Sequence, residues 1–394
     1  MSPETMDALA GKRVAVVSRI YVPEPAAASY RLRALVAELA ANGAAVDVLT
    51  SNPPAGFDDV DSPARGARVR RMWVLRDRAG YVRGYLQYLS FDLPVFFRLL
   101  FMRKPHLVIV EPPPTTGWFT RIACGIRGIP YLYYAADIWS DAVGSAGYPR
   151  HIAVILRGVE RWAMSGAAAV VSVSAEFTER IREQFPRAMV TTVGNGVDTT
   201  MFSPVGEKIA LGVPYLLYAG TASEVHGAQI FLDAFEEVLK TRPDSKLVFI
   251  GQGSDFATLA ERSKSLPVGA VELRPRMSPE EVASWIRGAV VTLASVHPDG
   301  YARAFATKMY ASVACGVPVI YAGTGPGADF AAREGIGHAV AYEKEAIAAV
   351  MLSVLSDEEP YANRAARSEW AANNISLRAV ASRIIGEARR ILTR

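Results

Sequence analysis

Three segments combine residue types suited to meeting an anion or a hydroxyl with positions at the ends of apolar runs. In YAGTASEVHG (218–227), Gly220 and small polar residues lead out of a strand and into a helix that begins near Gly227. A helix start offers free N–H groups and a positive dipole end, which suits a diphosphate. The same residues fit an ordinary strand-to-helix turn equally well, and His226 fits a surface position at a helix start as well as a phosphate contact. In RAFATKMYASVACGVPV (303–319), Arg303 and Lys308 sit before and within the start of an apolar helix that stops at Gly316. Cations there oppose the helix dipole, so their placement favours an anion that they meet over a merely solvated face. Asp137, in YYAADIWSD, follows a buried strand and precedes Trp139. At a strand's carboxyl end a carboxylate can orient a hydroxyl or act as a base, and it can equally cap a helix.

These residues need strands and helices to hold them, and the chain supplies both in alternation. RVAVVS (13–18) reads as a buried strand, Leu32, Leu35, Val36 and Leu39 form one helical stripe, Asn42-Gly43 ends that helix, and VDVLTS (46–51) returns as a second strand. Further apolar runs follow at HLVIVE (106–111), PYLYYA (130–135), AAVVSVS (168–174) and VTTVGNG (190–196). Uniformly apolar strands separated by crossover lengths indicate a parallel sheet covered on both faces. Residues 198–213 lack a period, and the pattern restarts at PYLLYAG (214–220), KLVFIG (246–251), VELRP (271–275), VVTLAS (290–295) and PVIYAG (318–323). Only helices are expected after Tyr342. The reading is of two doubly wound α/β domains facing a central cleft, with ligands at the carboxyl ends of the strands. Residues 1–205 form the first domain, 206–375 the second, and 376–394 a terminal helix that packs back on the first.

A chain of 394 residues exceeds what one hydrophobic core supports. Its 51% apolar and 21% charged residues are those of an ordinary globular protein. Cys124 and Cys315 lie in apolar surroundings, which suits buried thiols in a reducing compartment, and the expected location is cytoplasmic. The segment 85–102 is apolar but interrupted by Asp92, Pro94 and Arg98, so no transmembrane helix is expected. Asp58, Asp59 and Asp61 read as a solvated loop, and the five histidines have no metal-ligand spacing. No P-loop, nucleophile elbow or G-x-G-x-x-G fingerprint occurs. Neither a metal nor another cofactor is expected.

The ordered segments resemble the family 4 retaining glycosyltransferases of the GT-B fold, in particular the bacterial branch that builds surface polysaccharides. VVSRIYVPEPAAASYRLRALVAEL, ADIWSDA (136–142), VGNGVDTTMFSP (193–204), LVFIGQG (247–253) and KMYASVACGVPVI (308–320) carry the resemblance. It implies transfer of a sugar from a nucleoside-diphosphate donor to an acceptor hydroxyl, with retained anomeric configuration and no required metal. By matching position, Gly220, Thr221, His226 and Gly227 approach the diphosphate, His226 replacing the usual lysine. Gly251 and Gln252 line the base and ribose pocket, Arg276 and Met277 lie beside the base, and Phe305 belongs to the same donor set. Asp137 matches the aspartate of the acceptor side. The chain departs from the family at the E-x7-E motif, where it carries Arg303 and Ala311. A nucleotide-sugar 2-epimerase on the same two-domain fold is one competing reading, and a non-catalytic nucleotide-sugar binder, suggested by the replaced glutamates, is the other.

Residues 65–104 hold ten Arg or Lys against two Asp, interleaved with Tyr81, Tyr85, Tyr88, Phe91, Phe96, Phe97 and Phe101. Cations mixed with large apolar groups suit an anionic membrane surface and a lipid-linked acceptor, and they equally fit a core of aromatics under a charged rim. Nucleic acid is not an expected partner, since no nucleic-acid fold accompanies the charge.

Overall fold

The structure is a computed structural model describing residues 9–24, 26–54, 56–57, 66–77, 80, 82, 84–141, 150–298, 306–333, 335–357 and 362–394. Its chain divides into two compact units, Met1–Asn195 with Leu377–Arg394, and Gly196–Ser376. Residues 196–205 cluster with the second unit, where Phe202 packs against its core and the Val197 amide donates to the Ile375 carbonyl (2.9 Å).

The first unit is built on β1 (Arg13–Val17), β2 (Ala45–Ser51), β3 (Ala67–Met72), β4 (Leu107–Val110), β5 (Tyr131–Ala135), β6 (Ala169–Ser172) and β7 (Val190–Thr192). All pairings are parallel, in the order β3-β2-β1-β4-β5-β6-β7. The period of two decides which helices each strand meets. Val14 and Val16 of β1 join the core with Leu32, Leu35, Val380 and Ile384, whereas Ala15 and Val17 join Phe91, Val95 and Leu99. The helices Ala27–Ala41 and Leu377–Leu392 therefore cover one face, and Tyr85–Phe101 and Pro114–Arg127 the other. Asn42 caps the first of these helices and Gly43 follows it at φ +82°.

The second unit repeats the plan with β8 (Tyr215–Thr221), β9 (Lys246–Gln252), β10 (Val271–Pro275), β11 (Val291–Ser295), β12 (Val319–Ala322) and β13 (Gly337–Val340). Their order is β10-β9-β8-β11-β12-β13, again all parallel. Both sheets reverse their strand order beside the first strand, between β1 and β4 and between β8 and β11. Such a reversal opens a crevice at the carboxyl edge, where open α/β sheets bind ligands.

Two strands escape the sequence reading, β3 and β13. Both are edge strands, paired on one side only and partly exposed, so they carry ARVRRM and GHAV instead of an apolar run. Cys124 and Cys315 are free and buried. No helix among the described residues is long and apolar enough to cross a membrane.

Candidate functional site

In the second unit the carboxyl ends of β8 and β9 are drawn together by glycines. A Cβ on Gly251 would lie 2.0 Å from the Gly220 carbonyl oxygen, and both residues have positive φ, +152° and +139°. No side chain fits between strands at that distance, so the backbone itself forms this rim. Gly251→Ala is expected to destabilise the fold by about 3 kcal/mol or more, through overpacking and backbone strain. Gly386→Ala, in a helix with nothing within 4 Å of the added methyl, is expected to stabilise it by about 0.5–1 kcal/mol. Chemical denaturation of the two variants checks the contrast.

Gly220 also leaves room for a cation. Its Cβ would meet Lys308 Cε at 3.1 Å, so the lysine stem lies over the glycine. Lys308 begins the helix Lys308–Ala314, and its Nζ donates to the Tyr218 hydroxyl (2.6 Å) and the Thr221 carbonyl (3.2 Å). The ammonium also sits 3.8 Å from the centroid of the Tyr218 ring. The Tyr218 hydroxyl donates in turn to the Thr221 carbonyl (2.7 Å), and burial raises its pKa, so it stays a donor. Burial pushes the Lys308 ammonium down to about 7, because no carboxylate of the described residues offsets the lost hydration. A preorganised cation held below its ordinary pKa regains that cost when an anion arrives.

A cavity of about 470 Å³ opens here, bringing together Gly220, Thr221, Gly251, Gln252, Arg276, Met277 and Lys308. Phe202, Ala311 and Ser312 complete parts of its wall. His226 and Gly227 do not line it. The His226 Nδ1 pairs with Ser223 Oγ (2.9 Å), and its amide and that of Gly227 both close on the Ser223 carbonyl. Those amides are used within the turn, which removes them from a phosphate cradle. Burial, then the Lys308 charge, hold the His226 imidazole below its ordinary pKa and hence neutral at pH 7. Gly227 is required by packing, since a Cβ would meet the Tyr342 hydroxyl at 2.1 Å. Arg303 and Phe305 lie outside the described residues, as do Asp58, Asp59 and Asp61.

The carboxyl edge of the first unit carries charge of another kind. Glu111, just past β4, is buried and accepts from Arg31 Nη2 (2.9 Å) and Ser18 Oγ (3.0 Å). Burial raises its carboxyl against the pull of Arg31. Asp137, past β5, is exposed and makes no hydrogen bond with a described residue. It does not cap the turn that follows. Glu160, from the helix Arg150–Ser165, takes the amides of Trp139 (2.6 Å) and Ser140 (3.2 Å) instead, which leaves the Asp137 carboxylate free. Among the described residues no group of three His, Cys, Asp or Glu is placed to hold a metal ion.

Sequence reasoning missed Tyr218, Glu160 and Arg19. Tyr218 looks like one more core aromatic in PYLLYAG, and only its neighbour in space reveals its role. Arg19 carried a usable signal: a cation two residues beyond a buried strand, at its carboxyl end.

Two doubly wound domains in one chain, the second with a cation-lined cavity at its carboxyl edge, define the class as a GT-B-type protein. Residues 27–196 match the glycosyl transferase 4-like domain and residues 203–370 the glycosyl transferases group 1. The chain belongs to this family of group 1, family 4-type glycosyltransferases. It is 25% identical over 283 residues to a D-inositol 3-phosphate glycosyltransferase of Thermobispora bispora, a match covering 65% of each chain. The chain thus spans a little under two thirds of that relative. In structure it resembles a sucrose-phosphate synthase of Thermosynechococcus elongatus, with TM-score 0.69 and 16% identity over 97% of this chain and 99% of the other. It also resembles Anabaena HepE in complex with UDP-glucose, with TM-score 0.60 and 15% identity over 96% and 99% of the two chains.

Proposed function

We propose that this chain transfers a sugar, with retained anomeric configuration, from a nucleoside-diphosphate donor held by the second unit to an acceptor hydroxyl held by the first. The observation that carries the reading is Lys308, an ammonium without a carboxylate partner among the described residues, lying over Gly220 in a cavity that also holds Arg276. Breaking the bond between the anomeric carbon and the β-phosphate oxygen leaves the electron pair, and a negative charge, on that oxygen. In this proposal Lys308 meets the charge, aided by Arg303, and no metal is required. Thr221, Gly251 and Gln252 take the donor's phosphate and ribose, and Arg276 and Met277 border the base. Asp137 accepts a hydrogen bond from the acceptor hydroxyl and takes its proton as the acceptor oxygen bonds to the anomeric carbon. A UDP-glucose complex of a protein with this fold makes a UDP-sugar the first donor to try.

The test is to incubate the chain with a panel of sugar nucleotides and measure thermal shift together with released nucleoside diphosphate. Transfer or slow hydrolysis frees the diphosphate. A 2-epimerase would instead leave the sugar attached, and a shift without either change would mark a binder.

We further place the enzyme at an anionic membrane, on the cytoplasmic side, in the synthesis of a surface polysaccharide or glycoconjugate from a lipid-linked acceptor. Within 65–104, Arg70 pairs with Asp47, Arg76 with Glu24, and Phe91 is buried, so part of the stretch is internal. The helix Tyr85–Phe101 nonetheless exposes Tyr85 (76%), Phe97 and Phe101 (82%), followed by exposed Arg103 and Lys104. The adjoining helix Pro114–Arg127 exposes Trp118 and Ile126, and Arg150–Ser165 exposes Val154, Ile155 and Trp162. Trp118 and Trp162 touch, with ring centroids 5.6 Å apart. Large apolar groups rimmed by cations complement an anionic bilayer, each surface cation contributing about 1 kcal/mol. The chain is expected to sediment with anionic vesicles at low salt and to be released as screening rises. Phe97→Ser with Phe101→Ser should weaken this at least about tenfold, and absence of sedimentation at low salt would refute the contact.

A further inference from the structure

We propose that Arg19, set beside the touching rings of Tyr88 and Trp139, anchors a phosphate ester on the acceptor, an inference that rests on the acceptor being held by the first unit. Arg19 lies just past β1, beside the reversal of strand order, at the edge where open α/β sheets take ligands. Its guanidinium carbon is 5.2 Å from the Tyr88 centroid and 5.7 Å from that of Trp139, and the two rings meet edge to face at 5.7 Å. This aromatic corner is formed in advance, because Glu160 fixes the Trp139 amide.

What this cation lacks is an anion. Arg19 pairs with no carboxylate among the described residues, and the carboxylates that bear on it have partners of their own. Glu24 pairs with Arg76 (3.4 Å), Glu111 with Arg31 (2.9 Å), and Asp92 accepts from Thr116 Oγ1. Burial raises the Asp92 carboxyl to about 6, and it forms no ion pair with Arg19 although its Oδ2 is without a hydrogen-bond partner. One Nη1 bond to the Val82 carbonyl (2.7 Å) is made, while Nε is buried without a partner. Burial consequently holds Arg19 below its ordinary pKa. Aromatic faces attract the charge but accept none of the hydrogen bonds that lie in the guanidinium plane. Of the guanidinium fork, Nη1 is spent on Val82 and Nε is sealed from solvent, but the two N–H donors of Nη2 are taken by no described residue and are left for the oxygens of a phosphate. Asp137 stands free on the same sheet edge, so one element can hold the anion and another the hydroxyl of a single acceptor.

The test uses the full chain as wild type, Arg19→Met, which keeps the packing, and Arg19→Lys, which keeps the charge without the fork. Calorimetry measures UDP, glycerol 3-phosphate and glycerol, and sedimentation compares vesicles of phosphatidic acid with phosphatidylglycerol at matched charge. Glycerol 3-phosphate, but not glycerol, is expected to bind wild type and to lose at least about tenfold in affinity in Arg19→Met, with Arg19→Lys between them. UDP binding should be unchanged, and the unfolding midpoint should not fall. If only the preference for phosphatidic acid depends on Arg19, the phosphate is carried by a lipid and the site stands. If neither probe distinguishes the three proteins while UDP still binds, the Arg19 site is overturned and the donor reading survives. Failure of UDP to bind wild type would strike the donor reading instead.

Discussion

Lys308→Met is expected to lower turnover of sugar transfer by about 100-fold or more, since a preorganised charge on the leaving group is removed. The same change is expected to stabilise the fold by about 1 kcal/mol or more at neutral pH, because a buried ammonium is replaced by an apolar stem of similar length. Tyr218 keeps its hydrogen bond to the Thr221 carbonyl, so no polar group is orphaned. The pH dependence follows from the sign of the shift. Lys308 titrates near 7 in the folded chain and near 10.5 when unfolded, so between those values the unfolded chain binds more protons. Stability of the wild type should therefore rise with pH across that window, and the advantage of the Met variant should shrink in parallel. Nucleotide binding reverses the shift, as the diphosphate restores the ammonium. Calorimetry near pH 8 in two buffers of different ionisation enthalpy should detect uptake of a proton by wild type and none by Lys308→Met. Near-normal turnover in the Met variant would place the leaving-group charge elsewhere.

Thr221→Glu is expected to abolish donor binding. Thr221 closes β8 at the rim of the cavity, exposed, with its carbonyl already bonded to Lys308 and Tyr218. A carboxylate there would pair with the Lys308 ammonium and repel a diphosphate, a like-charge contact costing several kcal/mol, or roughly 100-fold or more in affinity. Because the side chain is exposed, the unfolding midpoint should hardly move, and Thr221→Ser should bind nearly as wild type does. Unchanged UDP affinity in the Glu variant would remove the turn 218–221 from the donor site.

Much of the architecture is legible in the sequence because a parallel sheet covered on both faces needs uniformly apolar strands. HLVIVE, PYLYYA and VVTLAS announce β4, β5 and β11, each buried along its length. The edge strands β3 and β13 are not legible, since an unpaired, partly exposed edge places no demand for apolar residues. The glycines at 220 and 251 are visible as punctuation, but a Gly-containing turn looks the same whether it serves a ligand or packing. Gly227 is held by Tyr342, more than a hundred residues away in sequence. Gly220 instead makes room for Lys308.

The order of strands and helices, the restart of the pattern near residue 214 and the cations at 303 and 308 follow from the sequence by itself, because they depend on local period and composition. Which charges remain available does not. Arg70 and Arg76 lie in the same basic stretch as Arg103 and Lys104, yet the first two are consumed by Asp47 and Glu24, while the others stay exposed. Asp137 makes no hydrogen bond with a described residue, because Glu160, from a later helix, takes the amides it would have capped. Arg19 pairs with no carboxylate of the described residues, since Glu111 and Glu24 are claimed by Arg31 and Arg76. Ion pairs and caps form between residues far apart in the chain, with energies set by distance and burial, and only the tertiary structure decides which partner each charge finds.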